Sequence, residues 1–465
     1  MLEKKRKIHF VGVGGVGMSG LALVLHLMGH EVSGCDLSES KYLEKVRGAG
    51  IPVFLGHHPS HLEGVEIVVY SSAVSLDHPE LKQARELGLW VIPRAKMLAE
   101  VMSVHPKSIV VAGSHGKTTT TSMLAELLCK LGLKPTVIVG GIVNNLQSHS
   151  LLGEGTYLVA EADESDGSFL YYNPYITIIT NIDREHLDFY ADFNAIKKAF
   201  QSFILRTSPE GRVILCGDDP GIRETVAELS LPFIFYGLDE ENEVRGKVLS
   251  DTAYPEVAVY HGEKFLGVLK LQVPGLHNVQ NALGVIACAL VLGLPIPEVL
   301  SVLSQFRGVK RRLELKGIAQ GALIYDDYAH HPKEIEVTLK ALKKKHPDKR
   351  LILLFQPHRY TRTKALWEDF LLVLKEPDIL ILTDIYPASE KPIPGVCGEV
   401  FYQAVKEVRK EKPTFYGEKS KALEVVKALL SPGDLFVTMG AGDVYKIGEA
   451  LLMVNEERDG KVLSA

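Results

Sequence analysis

Apolar runs of strand length alternate with segments of helical period along the whole chain. The runs Ile8-His9-Phe10-Val11, Val65 to Tyr70, Ser108 to Ala112, Tyr157 to Ala160 and Ile176 to Thr180 are followed by Leu323-Ile324-Tyr325, Leu351 to Phe355, Ile379 to Leu382 and Leu435 to Thr438. Buried strands separated by helices predict βαβ units and parallel sheets. The pattern falls into three blocks, with breaks near Val104-His105-Pro106 and after the basic cluster Lys310-Arg311-Arg312. The expected domains are therefore 1–105, 106–312 and 313–465.

Ligands collect at the carboxyl ends of strands in open α/β sheets. Here those ends read Gly-Ser-His-Gly-Lys-Thr, Glu-Ala-Asp-Glu, Asn-Ile-Asp, Asp-Asp-Tyr-Ala-His-His and Gln-Pro-His-Arg, a rim that a purely structural sheet does not need. In the first of these, Gly113, Ser114, His115, Gly116, Lys117, Thr118 and Thr119 lie between a buried strand and a helical run from Thr121 to Leu131. Glycines let backbone N–H groups turn onto phosphate oxygens, and the helix N-terminus adds the positive end of its dipole. Lys117 is placed to neutralise β- and γ-phosphates and Thr118 to reach Mg²⁺. The full Walker pattern also has a glycine where Val111 stands, so this loop is shortened. The clusters Glu161 to Asp166 and Asn181 to His186 supply the carboxylates that Mg²⁺ prefers; on chemistry alone, His186 is an unusual ligand for so hard an ion.

Gly12-Val13-Gly14-Gly15-Val16-Gly17 matches Gly-x-Gly-x-x-Gly between a strand and a helix, and Asp36 follows about twenty residues on, where a dinucleotide fold places its ribose acid. The fingerprint says only that a diphosphate can approach a helix N-terminus, so NAD and a UDP-sugar both satisfy it. The fold class expected is α/β: a Rossmann-like N-terminal domain, a central P-loop-type ATPase domain with a parallel sheet, and a C-terminal Rossmann-like α/β domain.

Composition narrows the field further. A formal net charge of -5 over 465 residues gives no basic surface for nucleic acid. The cysteines Cys35, Cys129, Cys216, Cys288 and Cys397 are scattered without metal-type spacing, as in a reducing compartment. Lys4 to Lys7 before an apolar run, with Val32-Ser33-Gly34-Cys35 beyond, imitates a lipoprotein signal. The run carries His9, Ser19, His26 and His30, however, and its glycines break a signal helix. A cytoplasmic protein without membrane contact is expected.

These motifs, together with Gly275 to Ala282, Asp326 to Pro332 and Gln356 to Arg362, resemble those of the Mur ligases of peptidoglycan synthesis over nearly the whole chain. The resemblance implies ATP and Mg²⁺ as cofactors and, as substrates, UDP-N-acetylmuramate and L-alanine, joined through an acyl phosphate in peptidoglycan precursor synthesis. It implies ATP contacts from the phosphate loop, Asn278, Asn281, Arg312 and Asp327. Thr118, Glu161 and His186 would hold Mg²⁺, which reverses the chemical expectation for His186. Gly14, Gly15, Val16, Gly17, Asp36 and Ser71 would bind the UDP-sugar, and Lys117, His330, Arg359 and Arg362 would be catalytic. Alone, His-Asn-x-x-Asn could simply cap a helix, and the Arg pair could be a surface ion-pair cluster. Arg359 and Arg362 would grip carboxylates, since the planar guanidinium binds both oxygens.

Two features depart from the family pattern. Glu185 replaces an aspartate in Arg184-Glu185-His186-Leu187-Asp188, and Gln201 stands near the position of a carbamylated lysine in sister ligases, so no carbamate is expected. A ligase that joins a tripeptide to the same UDP-sugar shares most of these motifs. An NAD-dependent oxidoreductase would leave Lys117 and the third domain without a role, and a GTPase would need an Asn-Lys-x-Asp motif that the sequence lacks.

Overall fold

The computed structural model describes residues 1–462 apart from Gln147, Leu187, Asp188 and Ser389, with side chains as far as Met453. Leu187 and Asp188 of the departing motif thus lie outside the described residues. The chain divides into two compact units, Met1–Ser250 with Glu256–Arg307, and Asp251–Pro255 with Gly308–Ala465.

The first unit holds two sheets. One has five parallel strands in the order Val53–Leu55, Glu31–Asp36, Lys7–Val11, Ile67–Tyr70, Trp90–Pro93. The chain leaves the middle strand toward one edge and returns to the other, which opens a crevice at its carboxyl end, where the glycine loop lies. The helix Val16–Leu27 packs on the strands Thr136–Val143 and Ser148–Leu151 of the second sheet, so the two sheets share a layer. There Ser19 Oγ meets His149 Nε2 at 3.1 Å, and burial holds the His149 imidazole down at about 4.

The second sheet has ten strands, with Lys107–Ala112 flanked by Ile176–Ile179 and Tyr157–Glu161. Its middle is parallel, as the buried runs predict, but the sheet as a whole is mixed. Val244–Ser250, Glu256–His261 and Lys264–Lys270 form an antiparallel meander at one edge, and Ser148–Leu151 pairs antiparallel at the other. The reason lies in the chain: in Val244–Ser250 the buried Val244 and Gly246 alternate with the more exposed Arg245 and Lys247, Lys264–Lys270 is largely exposed, and a turn at Gly262 (φ 57°) closes the hairpin. A strand covered on one face reads this way, whereas a doubly covered one is apolar throughout. The helix after the phosphate loop spans Lys117–Lys130 and so begins at Lys117 rather than Thr121. Hydroxyl groups that favour caps and turns are absorbed here by bonds back along the helix, Thr121 Oγ1 to Lys117 O at 2.8 Å and Ser122 Oγ to Thr118 O at 2.6 Å.

The second unit carries a six-stranded sheet in the order Glu314–Ala319, Ala322–Asp327, Leu435–Met439, Leu351–Phe355, Ile379–Leu382, Thr414–Tyr416, parallel except for its first pair. Alternate residues of one strand feed two cores. Leu351, Leu353 and Phe355 join Tyr325, Phe370 and Phe401 on one face, while Ile352 and Leu354 join Ile324, Phe436 and Val444 on the other. Helices on both faces explain why these strands read as continuous apolar runs.

Candidate active site

The phosphate loop lies where Lys107–Ala112 ends between two parallel neighbours, and each neighbour delivers residues to it. From one side, Asn181 accepts the N–H of Ser114 on its carbonyl (3.1 Å) and that of His115 on its side chain (2.8 Å), while Asp183 N donates to Ser114 Oγ at 2.9 Å. Asn181 and Asp183, read as part of a metal end, thus brace the loop. The glycines are required by space and by backbone. Gly113 (φ 132°) has no room for a Cβ beside Thr180, and a Cβ on Gly116 (φ 81°) would stand 2.6 Å from Asn281 Oδ1. Asn281 therefore packs against the loop, and Asn278, in the first turn of the same helix, does not cap it but donates to Pro274 O at 2.8 Å.

From the other side come the acids. Glu161 ends its strand opposite Val111, and both its oxygens accept from Thr118 Oγ1 at 3.0 Å, with Gly140 N donating at 2.9 Å. Lys117 Nζ donates to the carbonyls of Gly113 and Ser114 and to both oxygens of Glu164, at 3.0 and 2.9 Å. Burial works against the ammonium, but Glu164, Asp163, Glu161 and Glu185 outweigh it and hold its pKa above the usual lysine range. Burial likewise opposes the Glu164 charge, and Lys117 and His186 overcome it, leaving that carboxyl below its ordinary value.

His186, in the left-handed region at φ 57°, places Nε2 3.4 Å from Glu164 and 3.6 Å from Glu185. Burial disfavours its cation, while Glu164 and Glu185 more than compensate and raise its pKa. Glu164, Glu185 and His186 form one potential metal-binding group, and Thr118 with Glu161 forms an oxygen pair beside the same lysine. Carboxylate and hydroxyl oxygens suit Mg²⁺. In the sequence Glu164 and Glu185 are members of two separate acidic clusters; their convergence on Lys117 depends on strand order.

The glycine loop faces the same unit. Gly12 has φ 85°, Gly15 caps the helix Val16–Leu27, and Val16 and Gly17 form its first turn. Asp36 is engaged by the loop itself: Oδ2 accepts Gly14 N–H at 2.8 Å and Oδ1 accepts Leu37 N–H at 2.8 Å. Ser71 lies beside Gly12, its Cβ 3.2 Å from where a Gly12 Cβ would stand. The sequence reading missed Arg94, which follows Pro93 at the start of a helix. Its guanidinium comes within 3.4 Å of the Cβ position of Gly17, and its charge helps hold the Asp163 carboxyl low against burial. No motif announces a lone arginine after a proline.

In the second unit the predicted residues gather at the carboxyl ends of two strands. Asp327 accepts the N–H groups of Leu313 (2.6 Å) and Ala329 (2.7 Å), and burial pushes its carboxyl up to about 6. Arg312 lies 3.6 Å from Glu334 and over the Tyr328 ring. His330 is 3.3 Å from Glu334 and edge-on to His358, and burial keeps it neutral. Arg362 reaches His358 Nδ1 at 3.3 Å, and Arg359 sits at φ 69° at the head of the same short helix. His358, stacked on Tyr386, and Arg311, paired with Asp326 at 3.0 Å, complete the cluster and were not assigned from the sequence.

Family models match in three stretches: Mur ligase family, catalytic domain over 7–105, Mur ligase middle domain over 111–289, and Mur ligase, glutamate ligase domain over 311–442. The UDP-N-acetylmuramate–L-alanine ligase of Solidesulfovibrio magneticus is 45% identical over 96% of this chain and 98% of its own length. That of Aquifex aeolicus is 44% identical over 98% and 99%. Among solved structures, the UDP-N-acetylmuramate-alanine ligase of Thermotoga maritima superposes with a TM-score of 0.84 at 29% identity, covering 97% of this chain and all of that one. A murein peptide ligase from Psychrobacter arcticus gives 0.75 at 26% identity, covering 96% of this chain and 98% of that one.

Proposed function

The chain belongs to the Mur ligase family, and we propose that it joins L-alanine to the lactyl carboxylate of UDP-N-acetylmuramate at the expense of ATP, in peptidoglycan precursor synthesis. The observation that carries this reading is the near-complete overlap with relatives of that activity, down to a phosphate loop whose Lys117 is set among Glu161, Asp163 and Glu164.

A carboxylate is a poor electrophile and must be activated. The lactyl carboxylate attacks the γ-phosphorus of ATP, ADP leaves, and an acyl phosphate forms. The amine of L-alanine then adds to that carbonyl, the tetrahedral intermediate expels phosphate, and the amine loses its proton. Lys117, already cationic and fixed by loop carbonyls, stabilises charge on the transferring phosphoryl oxygens, and the loop N–H groups do the same at the helix N-terminus. Thr118, Glu161 and His186 are the residues assigned to Mg²⁺, which when bound spreads phosphate charge. Asn281, against Gly116, and Asn278 are assigned to the adenine side, with Arg312 and Asp327 completing the ATP contacts. Gly14 to Gly17, Asp36 and Ser71 are assigned to the UDP-sugar, and Asp36 also braces the loop through the Gly14 N–H. Arg359 and Arg362 are assigned to substrate carboxylates and His330 to the reacting groups of the second unit. Domain limits near 105 and 312 and a cytoplasmic setting, where ATP is supplied, belong to the same proposal. In the described residues no helix is long and apolar enough to cross a membrane.

The NAD reading leaves Lys117, and the acids Glu161 and Glu164 gathered at its loop, without a role. The deciding experiment is phosphate release with UDP-N-acetylmuramate against L-alanine, glycine, L-serine and the tripeptide. L-Alanine should be preferred, and preference for the tripeptide would transfer the chain to the recycling activity.

A further inference from the structure

Beneath the glycine loop lies a cluster of titratable side chains that the ligase reaction does not use. Glu80, on the helix Pro79–Glu86, is fully buried. Its Oε1 lies 2.7 Å from His61 Nδ1 and accepts the His58 N–H at 3.0 Å; its Oε2 lies 3.0 Å from His57 Nδ1 and 3.2 Å from Cys35 Sγ. Cys35 Sγ is also 3.1 Å from His57 Nδ1. His9, equally buried on the central strand, joins from the other side, its ring 5.9 Å from that of His61. Two imidazoles and one peptide N–H already satisfy a buried carboxylate, so the thiol and His9 are more than its charge requires.

The second observation is His9 itself. Its Nδ1 is engaged by Ser33 Oγ at 2.8 Å, but its Nε2 is buried with no hydrogen-bond partner among the described residues. An orphaned polar atom in such a place carries the full cost of its lost hydration and calls for a ligand. Burial keeps this imidazole at about 4, so at neutral pH it offers a lone pair rather than a charge.

We propose that His9, Cys35, His61 and Glu80 bind a structural zinc ion. One donor atom from each lies within 4.8 Å of all the others. Two nitrogens, a sulfur and a carboxylate oxygen form a borderline-soft set of four, the count of a closed zinc site, and a poor match for Mg²⁺. On binding, the Cys35 S–H bond breaks and its proton leaves to solvent as the Zn–S bond forms. Thiolate and carboxylate together then cancel the charge of the ion. His57, touching both sulfur and carboxylate, is placed to donate to them from outside the coordination sphere. The site has a structural consequence. The Cys35 carbonyl accepts the N–H groups of Gly12 (2.9 Å) and Val13 (3.0 Å), and Asp36 next to it holds Gly14, so the ion would fix the floor of the glycine loop.

The test uses the full chain, stripped by chelator and reloaded with zinc or cobalt(II). Zinc should bind stoichiometrically by plasma mass spectrometry and raise the melting temperature by several degrees. Cobalt should show a thiolate-to-metal charge-transfer band, and Cys35→Ser should abolish that band and the zinc-dependent shift. A band that survives Cys35→Ser places the metal on another thiol, and substoichiometric zinc with no cobalt band leaves only adventitious surface binding; either overturns the proposal. Should Cys35→Ser fail to fold, His9→Gln, which keeps the thiol, should remove most of the zinc-dependent rise in melting temperature; an unchanged rise would overturn the proposal.

Discussion

Both carboxylate oxygens of Glu164 lie within 3.0 Å of the Lys117 ammonium, so the lysine of the phosphate loop is paired within the protein itself. The pairing keeps Lys117 charged in a buried setting and holds it beside the loop where the γ-phosphate is expected. Lys117→Ala should lower turnover by ~10²–10³-fold, the usual scale for removing a preorganised electrostatic donor. Near-normal phosphate release from the variant would remove Lys117 from the chemistry.

Glu164→Gln probes the same pair from its other end. It leaves a buried ammonium without its closest counter-charge, and breaking such a pair costs ~3–5 kcal/mol. A clearly lowered urea midpoint is the expected result, with Glu39→Gln, at an exposed ion pair with Arg47, as a near-neutral comparison.

Gly14→Ala tests the glycine loop. The new Cβ would stand 2.8 Å from Asp36 Oδ2, so the loop and its brace must separate. Calorimetric titration should show weakened UDP-sugar binding with ATP binding little changed. An equal loss of both ligands would point to global damage instead.

Arg359→Ala and Arg362→Ala should raise the Michaelis constant for the amine or the sugar and lower kcat while ATP affinity is kept. Truncating one partner of a desolvated charge pair typically costs ~2–5 kcal/mol. Full activity in both variants would refute the carboxylate assignment.

His149 gives a pH dependence. Its folded pKa of about 4 lies below the ordinary 6.5 because burial disfavours the cation. Above pH 6.5 it is neutral folded and unfolded and changes nothing. As pH falls from 6.5 toward 4, only the unfolded chain takes up the proton, so stability is lost through that window, by up to about 3 kcal/mol. His149→Gln should make this limb shallower in denaturant titrations, leaving the share of other buried histidines such as His9; an unchanged slope would exclude a contribution from His149.

Elements whose causes are local were legible in the chain. Ile109-Val110-Val111 must be a buried strand, Gly113 and Gly116 must turn where no Cβ fits, and the helix must follow, because these depend on backbone conformation and burial within a few neighbouring residues. The family motifs carried the same reading to Glu161, His186 and the Asp326 to Pro332 loop. What strand order brings together emerges only on folding. Glu164 is 47 residues from Lys117, Asn281 lies far beyond Gly116, and Arg94 reaches Gly17 from another helix. The antiparallel meander escaped because half-buried alternation over short strands is a weak signal. At Asp36 the spacing correctly placed an acid at its strand end, and the fold adds that its oxygens accept the Gly14 and Leu37 N–H groups. Likewise His9, Cys35, His61 and Glu80 carry no recognisable spacing, since their convergence comes from two adjacent parallel strands, the short turn Pro59–Leu62 and the helix Pro79–Glu86, and only folding removes the water that would otherwise satisfy His9.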